Sequence, residues 1–279
     1  MQGQGMLLLG GVAFAGCSSL PTIVPDLARP TGPAVQLESA RGPMSPAQSK
    51  AVLDRLSASG QPTNIFDRHL ALEEAIVGSP LTTGNQVTLL RDGPATYDAM
   101  LTAIAAARDH INMETYILED DEIGQRFAQA LIDKQRQGVQ VNLIRDSVGT
   151  IGTPAAFFER LTAGGIRVLE FNPLNPMVAR QDWELNQRDH RKLLIVDGRT
   201  AFLGGINISS VYSSGSSGRT SRTRPPLEAG PGWRDTDLQL QGPAVAELQK
   251  LFLSAWKKQE GEPLAAKNYF PALQPAGRQ

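Results

Sequence analysis

His190, Lys192, Asp197, Asn207 and Ser209 are the residues whose types and spacing could do chemistry. They fall within NQRDHRKLLIVDGRTAFLGGINISS, residues 186 to 210. His190 and Lys192 are two apart, and residues two apart share a face of a strand. Asn207 and Ser209 form a second such pair, just after Gly204 and Gly205. Two glycines at a strand end let another group approach the backbone closely. Imidazole, ammonium and carboxamide would then converge on one spot. That set suits an anion with a reactive centre, with imidazole as nucleophile or proton carrier, lysine as fixed positive charge and asparagine as neutral donor. Asp197 is an odd number of residues from His190, so an unbroken strand turns it to the opposite face. A histidine and a lysine at the mouth of a strand are also ordinary solvated end residues, so the pair alone decides nothing.

The surrounding pattern supplies elements to position these groups. Gln86 to Leu90 reads as a strand. The next segment places Met100, Leu101, Ile104 and Ala107 on one helical face. INMETYIL alternates as a strand, with Asn112, Glu114 and Tyr116 on its polar face. Glu122 to Gln137 is an amphipathic helix stopped by Gly138, and VQVNLIRD is the strand after it. Thr153 and Pro154 predict an N-cap and a first-turn proline, Gly164-Gly165 ends that helix, and IRVLEF is again a strand. This β-α-β-α-β-α-β order predicts an α/β fold, a mixed, largely parallel sheet flanked by helices on both faces. RKLLIV and TAFLGG follow as short strands joined by Asp197-Gly198, a hairpin signal. TDLQLQG is the last strand. The last helix turns Val245, Leu248, Phe252 and Trp256 inward.

The chain has 279 residues, 41% of them hydrophobic, which suits one large domain plus tails. A formal net charge of −1 argues against nonspecific nucleic-acid binding, so no nucleic-acid partner is expected. The one cysteine, Cys17, excludes an internal disulfide and a cysteine-rich metal site. MLLLGGVAFAGC ends on it, an apolar run too short to span a bilayer but of signal-peptide length. FAGC resembles a bacterial lipoprotein box, although Phe14 and the absence of Lys or Arg before it depart from the usual form. The expectation is a lipoprotein signal over 1–16, lipidation of Cys17 and a Pro/Gly/Ser-rich tether over 17–63, with a short helix near Gln48 to Leu56. Ser18 after the cysteine favours the outer membrane, on the periplasmic side of the envelope. A folded domain is expected over 64–260, opening with a helix at Asn64 to Val77 and carrying a mobile loop at 213–232. Residues 261–279 read as a tail or the start of a linker.

His190, Lys192, Asp197, Gly204, Gly205 and Asn207 fill every position of H-x-K-x4-D-x6-G-S/G-x-N, the motif of the phospholipase D superfamily, which this chain resembles. METYILEDDEIG, GVQVNLIRDSVGTIGTP, FNPLNP, GGINIS and WRDTDLQLQGPAV extend the resemblance over about residues 85 to 258. They are similar to the amino-terminal half of bacterial cardiolipin synthases. The resemblance implies a two-step phosphodiester displacement through a phosphohistidine, without metal or cofactor. His190 maps onto the histidine of this half, Lys192 and Asn207 onto phosphate ligands, and Asp197 onto the motif aspartate of the catalytic set. The facing argument makes Asp197 a buttress of the hairpin instead. A carboxylate to orient the imidazole would be Asp235, or else Glu114. Their ordinary readings are a surface ion-pair partner for Asp235 and, for Glu114, a buried pairing with Arg145 or Arg191. His69 and His110 read as structural.

The family builds its site from two motifs, and this sequence holds one. Three readings stay open: a chain that lacks its second half, a homodimer that brings two copies of His190 together, and a catalytically incompetent remnant. The implied substrate is a phospholipid, phosphatidylglycerol foremost. A homodimeric nuclease and a headgroup-binding remnant are the alternatives in function.

Overall fold

The computed structural model describes residues 37–39, 42–58, 82–175, 177, 186–213 and 232–277. The signal segment with Cys17, the helix expected at 64–77 with His69, and most of the loop expected at 213–232 lie outside them. A two-stranded hairpin, β1 (Glu38–Ser39) and β2 (Gly42–Pro43), precedes α1 (Pro46–Ala58), so part of the expected tether is ordered. Next come β3 (Gln86–Leu90), α2 (Gly93–Ala106), β4 (His110–Thr115), α3 (Glu122–Arg136) and β5 (Gln140–Asp146). They are followed by α4 (Ala155–Ala163), β6 (Arg167–Phe171), β7 (Leu193–Val196) and β8 (Thr200–Gly204). A 3-10 turn (Ser210–Tyr212), β9 (Asp237–Gln241) and α5 (Val245–Lys258) complete the order.

Seven strands form one mixed sheet in the order β3-β9-β8-β7-β4-β5-β6. The α/β class and the flanking helices are as the sequence predicts, but the sheet is not largely parallel. Only β4–β5 and β5–β6 pair in parallel, and the other four pairings are antiparallel. Two features account for this, one local and one long-range. The Asp197-Gly198 turn has positive φ at both residues, 53° and 62°, as a tight two-residue hairpin requires, so β7 and β8 must be antiparallel. And β3 does not lie beside β4 but crosses to the far edge, against β9.

The two sheet faces are buried differently. Ile111, Met113, Val141, Leu143, Leu194 and Phe202 pack under α2, α3 and α4 with Met100, Ile104, Phe127 and Leu161. Ile144, Leu169, Leu193 and Ile195 face the other way, with Phe252 and Trp256 of α5. The polar face of β4 is buried too, for Asn112 and Glu114 are both closed to solvent. A chain of amides reaches Asn112 Oδ1: Asn142 Nδ2 donates to it at 2.7 Å, and Gln140 Nε2 donates to Asn142 Oδ1 at 3.3 Å and to the Tyr269 hydroxyl at 2.6 Å.

Tyr269 belongs to the segment expected as a tail or linker, which instead packs along the domain. Its ring lies 4.7 Å from that of His110, the Asn268 amide donates to Asp109, and the Ala276 amide reaches the Gly84 carbonyl. The expected Thr153 cap shifts by one residue. Pro154 stands at the N-cap of α4, and the Thr153 hydroxyl donates to the Leu118 carbonyl at 2.6 Å.

Phe202 is fully buried in β8, at the centre of the sheet. Phe202→Ala should destabilise the fold by about 3–5 kcal/mol through lost contacts and an unfilled cavity. Urea unfolding of the variant measures this, and a loss under about 1 kcal/mol would contradict the packing described.

Candidate active site

All the candidate groups except Asp197 gather at one end of the sheet, where β4, β5 and β6 finish and β7 begins. His190 and Lys192 precede β7 on an extended segment. Lys192 Nζ donates to the His190 carbonyl at 2.7 Å and lies 3.2 Å from His190 Nδ1. The Tyr116 ring packs 4.5 Å from the imidazole, and the ammonium sits over the same ring at 5.2 Å. The imidazole is exposed while the lysine is buried. Burial lowers the Lys192 pKa, and the negative field of Asp189, Asp235, Asp237 and Asp146 works against that. A neutral imidazole that accepts at Nδ1 carries its hydrogen on Nε2. In this arrangement Nε2 is a proton donor. Nucleophilic attack by Nε2 requires Lys192 to release Nδ1 and the tautomer to change.

The segment that presents His190 is held by buried carboxylates. Asp146, at the end of β5, takes the amides of Val148 and Gly149 on one oxygen and the Asp189 amide, at 2.8 Å, on the other. Asp189 in turn accepts from the Arg191 amide at 3.1 Å and from Arg191 Nε at 2.8 Å. Asp146, Asp189 and Tyr116 are not motif positions. Asp146 had a sequence signal, an aspartate closing a strand before a glycine-rich turn. Asp189 and Tyr116 had none that singles them out.

Glu114 does not orient the imidazole. Its register partner is Leu193, so it shares the sheet face packed under α5. There its carboxyl lies 2.7 Å from Arg191 Nη2, one of the two pairings open to a buried strand carboxylate. Burial and the neighbouring Asp189 push its pKa well up. Asp235 lies at the site but is exposed, and its Oδ1 accepts from the Thr236 amide at 2.8 Å. The ring nitrogen expected to meet a carboxylate faces Lys192 instead.

The two glycines admit two carboxylates. A Cβ on Gly205 would stand 2.1 Å from Asp235 Oδ2, and one on Gly204 would stand 2.0 Å from Asp237 Oδ1. Asp237 is buried, and its Oδ1 accepts from the Ile206 amide at 3.1 Å. Beyond the glycines the chain leaves β9 and runs beside residues 117–119, bridging Leu118 and Ile208. Asn207 is buried there. Its Oδ1 accepts from the Ile117 amide at 3.0 Å, and its Nδ2 donates to the Tyr212 hydroxyl at 3.0 Å. One amide hydrogen remains for an anion. The Ser209 hydroxyl donates to Glu119 and accepts from the Val211 amide, so it caps the 3-10 turn.

Asp197 stands at the far end of β7, about 16 Å from Lys192 at the rise of an extended chain. Its carboxylate accepts from the amides of Arg108, Asp109 and His110 at 2.8 to 3.2 Å. It supports the hairpin and the start of β4, and the structure does not bring it to His190. His110 is fully buried at that same far end, with Nδ1 2.9 Å from Asp109.

Residues 100–214 match the family model described as "Cardiolipin synthase, PLD-like domain". The chain is 38% identical over 178 residues to cardiolipin synthase A of Pseudomonas aeruginosa strain LESB58, covering 64% of this chain and 34% of that protein. It is 34% identical over 201 residues to the cardiolipin synthase of Geobacillus kaustophilus strain HTA426, covering 72% and 37%. The chain thus spans about a third of the length of these relatives. Among solved structures, the phospholipase D family member Nuc from Salmonella typhimurium overlaps 65% of this chain and 99% of its own. Its TM-score is 0.45 and its identity 16%.

Two outcomes check the electrostatics of the site. Burial raises the Asp237 carboxyl from its ordinary 3.8 to about 6, with Asp235 adding to the effect. The folded state therefore holds that proton more tightly than the unfolded chain. The resulting stability is complete below about pH 4 and is lost as the pH rises through about 6. Asp237→Asn cannot lose the proton, so its stability relative to wild type should grow between pH 4 and pH 7. Urea titrations that run parallel for the two proteins would refute this. Asp197→Ala strips three backbone donors of their acceptor and should cost about 2–3 kcal/mol. The chemical shifts of the His190 ring should stay in place.

Proposed function

We propose, for a chain of the phospholipase D superfamily whose domain is cardiolipin synthase-like, that it serves phosphatidyl transfer at a membrane surface, with phosphatidylglycerol as the foremost substrate. The carrying observation is the exposed His190 imidazole beside the buried Lys192 ammonium, with the Asn207 carboxamide at the same sheet end. Lys192 and the remaining Asn207 hydrogen hold the nonbridging oxygens. With Lys192 turned from Nδ1 to the phosphate and the ring hydrogen on Nδ1, the free Nε2 lone pair of His190 attacks phosphorus, the P–O bond to the leaving alcohol breaks, and a phosphohistidine forms. A second imidazole donates the proton to that alcohol and then takes one from the incoming hydroxyl of phosphatidylglycerol or water, which displaces His190. With its hydrogen on Nε2 and Nδ1 accepting from Lys192, His190 would instead suit the proton-donor role in such a pair.

The second imidazole comes from outside the described residues of one chain. His110 sits at the opposite end of the sheet, and a second half or a second copy of this chain supplies the partner. Cys17, with the apolar run before it, anchors the protein by lipid on the periplasmic side of the envelope, most fittingly at the outer membrane.

Purified full-length protein incubated with phosphatidylglycerol vesicles should release glycerol or form cardiolipin, and His190→Ala should lower the rate by ~10^3-fold or more. Acid-labile radiolabel on the wild-type protein and not on His190→Ala would mark the phosphohistidine. Equal turnover by both proteins would sink the assignment.

A further inference from the structure

Nine large apolar side chains are exposed among the described residues, and five of them lie on segments that flank the His190 segment on both sides at its end of the sheet. Ile151 lies in the turn after β5, Leu174 and Met177 in the chain after β6, Val211 in the 3-10 turn and Trp233 just before β9. All of these segments leave the sheet at the end where His190 stands. Ile151, Trp233 and Met177 keep 72%, 61% and 88% of their surface in water. The other four are scattered over β3, α5 and the C-terminal segment.

Ile151, Val211 and Trp233 stand on supported backbone. Gly149, two residues before Ile151, presses against the Tyr116 carbonyl, where a Cβ would stand 2.0 Å from that oxygen. The Trp233 amide donates to the Val211 carbonyl at 2.9 Å, and its ring meets Tyr212 edge-on at 5.8 Å. Tyr212 receives the Asn207 amide, so this part of the rim is built on the same residues as the site. Arg234, beside Trp233, is exposed as well.

From this ring we infer that the sheet end carrying His190 is a bilayer-docking surface, with Ile151, Leu174, Met177, Val211 and Trp233 entering the interfacial layer of a membrane containing anionic phospholipid. The inference rests on the phospholipid reading above. The arrangement of polarity selects the occupant. A protein–protein interface has an apolar centre and a polar rim. This surface has the reverse, with His190 and Lys192 at the centre and apolar tips around them. A bilayer matches the reversed order: the headgroup phosphate meets the cationic centre while the tips reach the acyl boundary around it. Tryptophan and arginine side by side suit an anionic headgroup layer.

The single cysteine makes the test direct. In full-length protein carrying Cys17→Ser, single cysteines are placed by Ile151→Cys, Val211→Cys and Trp233→Cys, and as controls by Leu251→Cys and Phe270→Cys. Each is labelled with an environment-sensitive fluorophore and mixed with equimolar phosphatidylglycerol–phosphatidylcholine vesicles carrying a nitroxide lipid. The three rim probes should shift to the blue and be quenched at least about twofold more than the two controls. The apolar amino-terminal run cannot imitate this, because it would tether all five probes alike. Equal quenching at rim and control positions overturns the inference. So does shielding of the rim probes without vesicles together with a doubled mass, which would assign the surface to a second copy. Phospholipid turnover is measured in parallel with unlabelled protein. Rim quenching without turnover retires the catalytic reading alone, and turnover without rim quenching retires the docking surface alone.

Discussion

The carboxylate of Asp146 holds the chain in two places at once, and the site depends on it. One oxygen gathers the amides that open the loop after β5. The other takes the amide of Asp189, directly before His190. A carboxylate has capacity for several donors, and a buried one is stable only when that capacity is used. Asp146 therefore fixes the spacing between a loop that flanks Tyr116 and the segment that carries the imidazole. Asp189 extends the same anchoring one step further by clamping Arg191. Two side chains without any contact to the reacting atoms thus define where the imidazole stands.

Charge balance follows from that scaffold. Lys192 is buried among four aspartates, which keep a positive charge tolerable in a place where desolvation opposes it. Asp237 sits in the same field, and its own burial makes it reluctant to ionise. The two glycines matter because they remove the side chains that would otherwise keep Asp235 and Asp237 away from the strand. A side chain at Gly204 would also strike the backbone of Thr236 and Asp237 across the sheet, whereas the atoms nearest to one at Gly205 belong to the Asp235 carboxylate.

The periodicity of the chain shows most of the strands and helices, since alternation and helical spacing report burial directly. What it does not show is which strands become neighbours. The position of β3 at the far edge depends on pairing with β9, some 150 residues later, and no local pattern encodes that. The motif brought His190, Lys192 and Asn207 into view, and parity alone turned Asp197 away from them. Asp189 and Tyr116 stayed hidden because their roles come from packing across separate segments. Glu114 looked available because alternation separates two faces without saying that both are covered. The C-terminal segment looked like a tail because its contacts are scattered, with polar anchors through Tyr269, Asn268 and Ala276 and isolated apolar ones through Leu264 and Leu273, and follow no regular spacing.

The docking of that segment gives the hairpin turn a mechanical meaning. The Tyr269 carbonyl lies so close to Gly198 that a Cβ there would stand 2.6 Å from it, and the Asp197 carboxylate clamps the same corner to the start of β4. From that corner β7 runs as a rod of four residues, Leu193–Val196, to Lys192. The chain beyond Tyr269 is pinned in its turn, Ala272 by the Arg199 side chain and Ala276 by the Gly84 carbonyl. A pull on the C-terminal segment is therefore taken up beside β3 before it reaches the turn, and the Lys192 end of β7 is insulated from it.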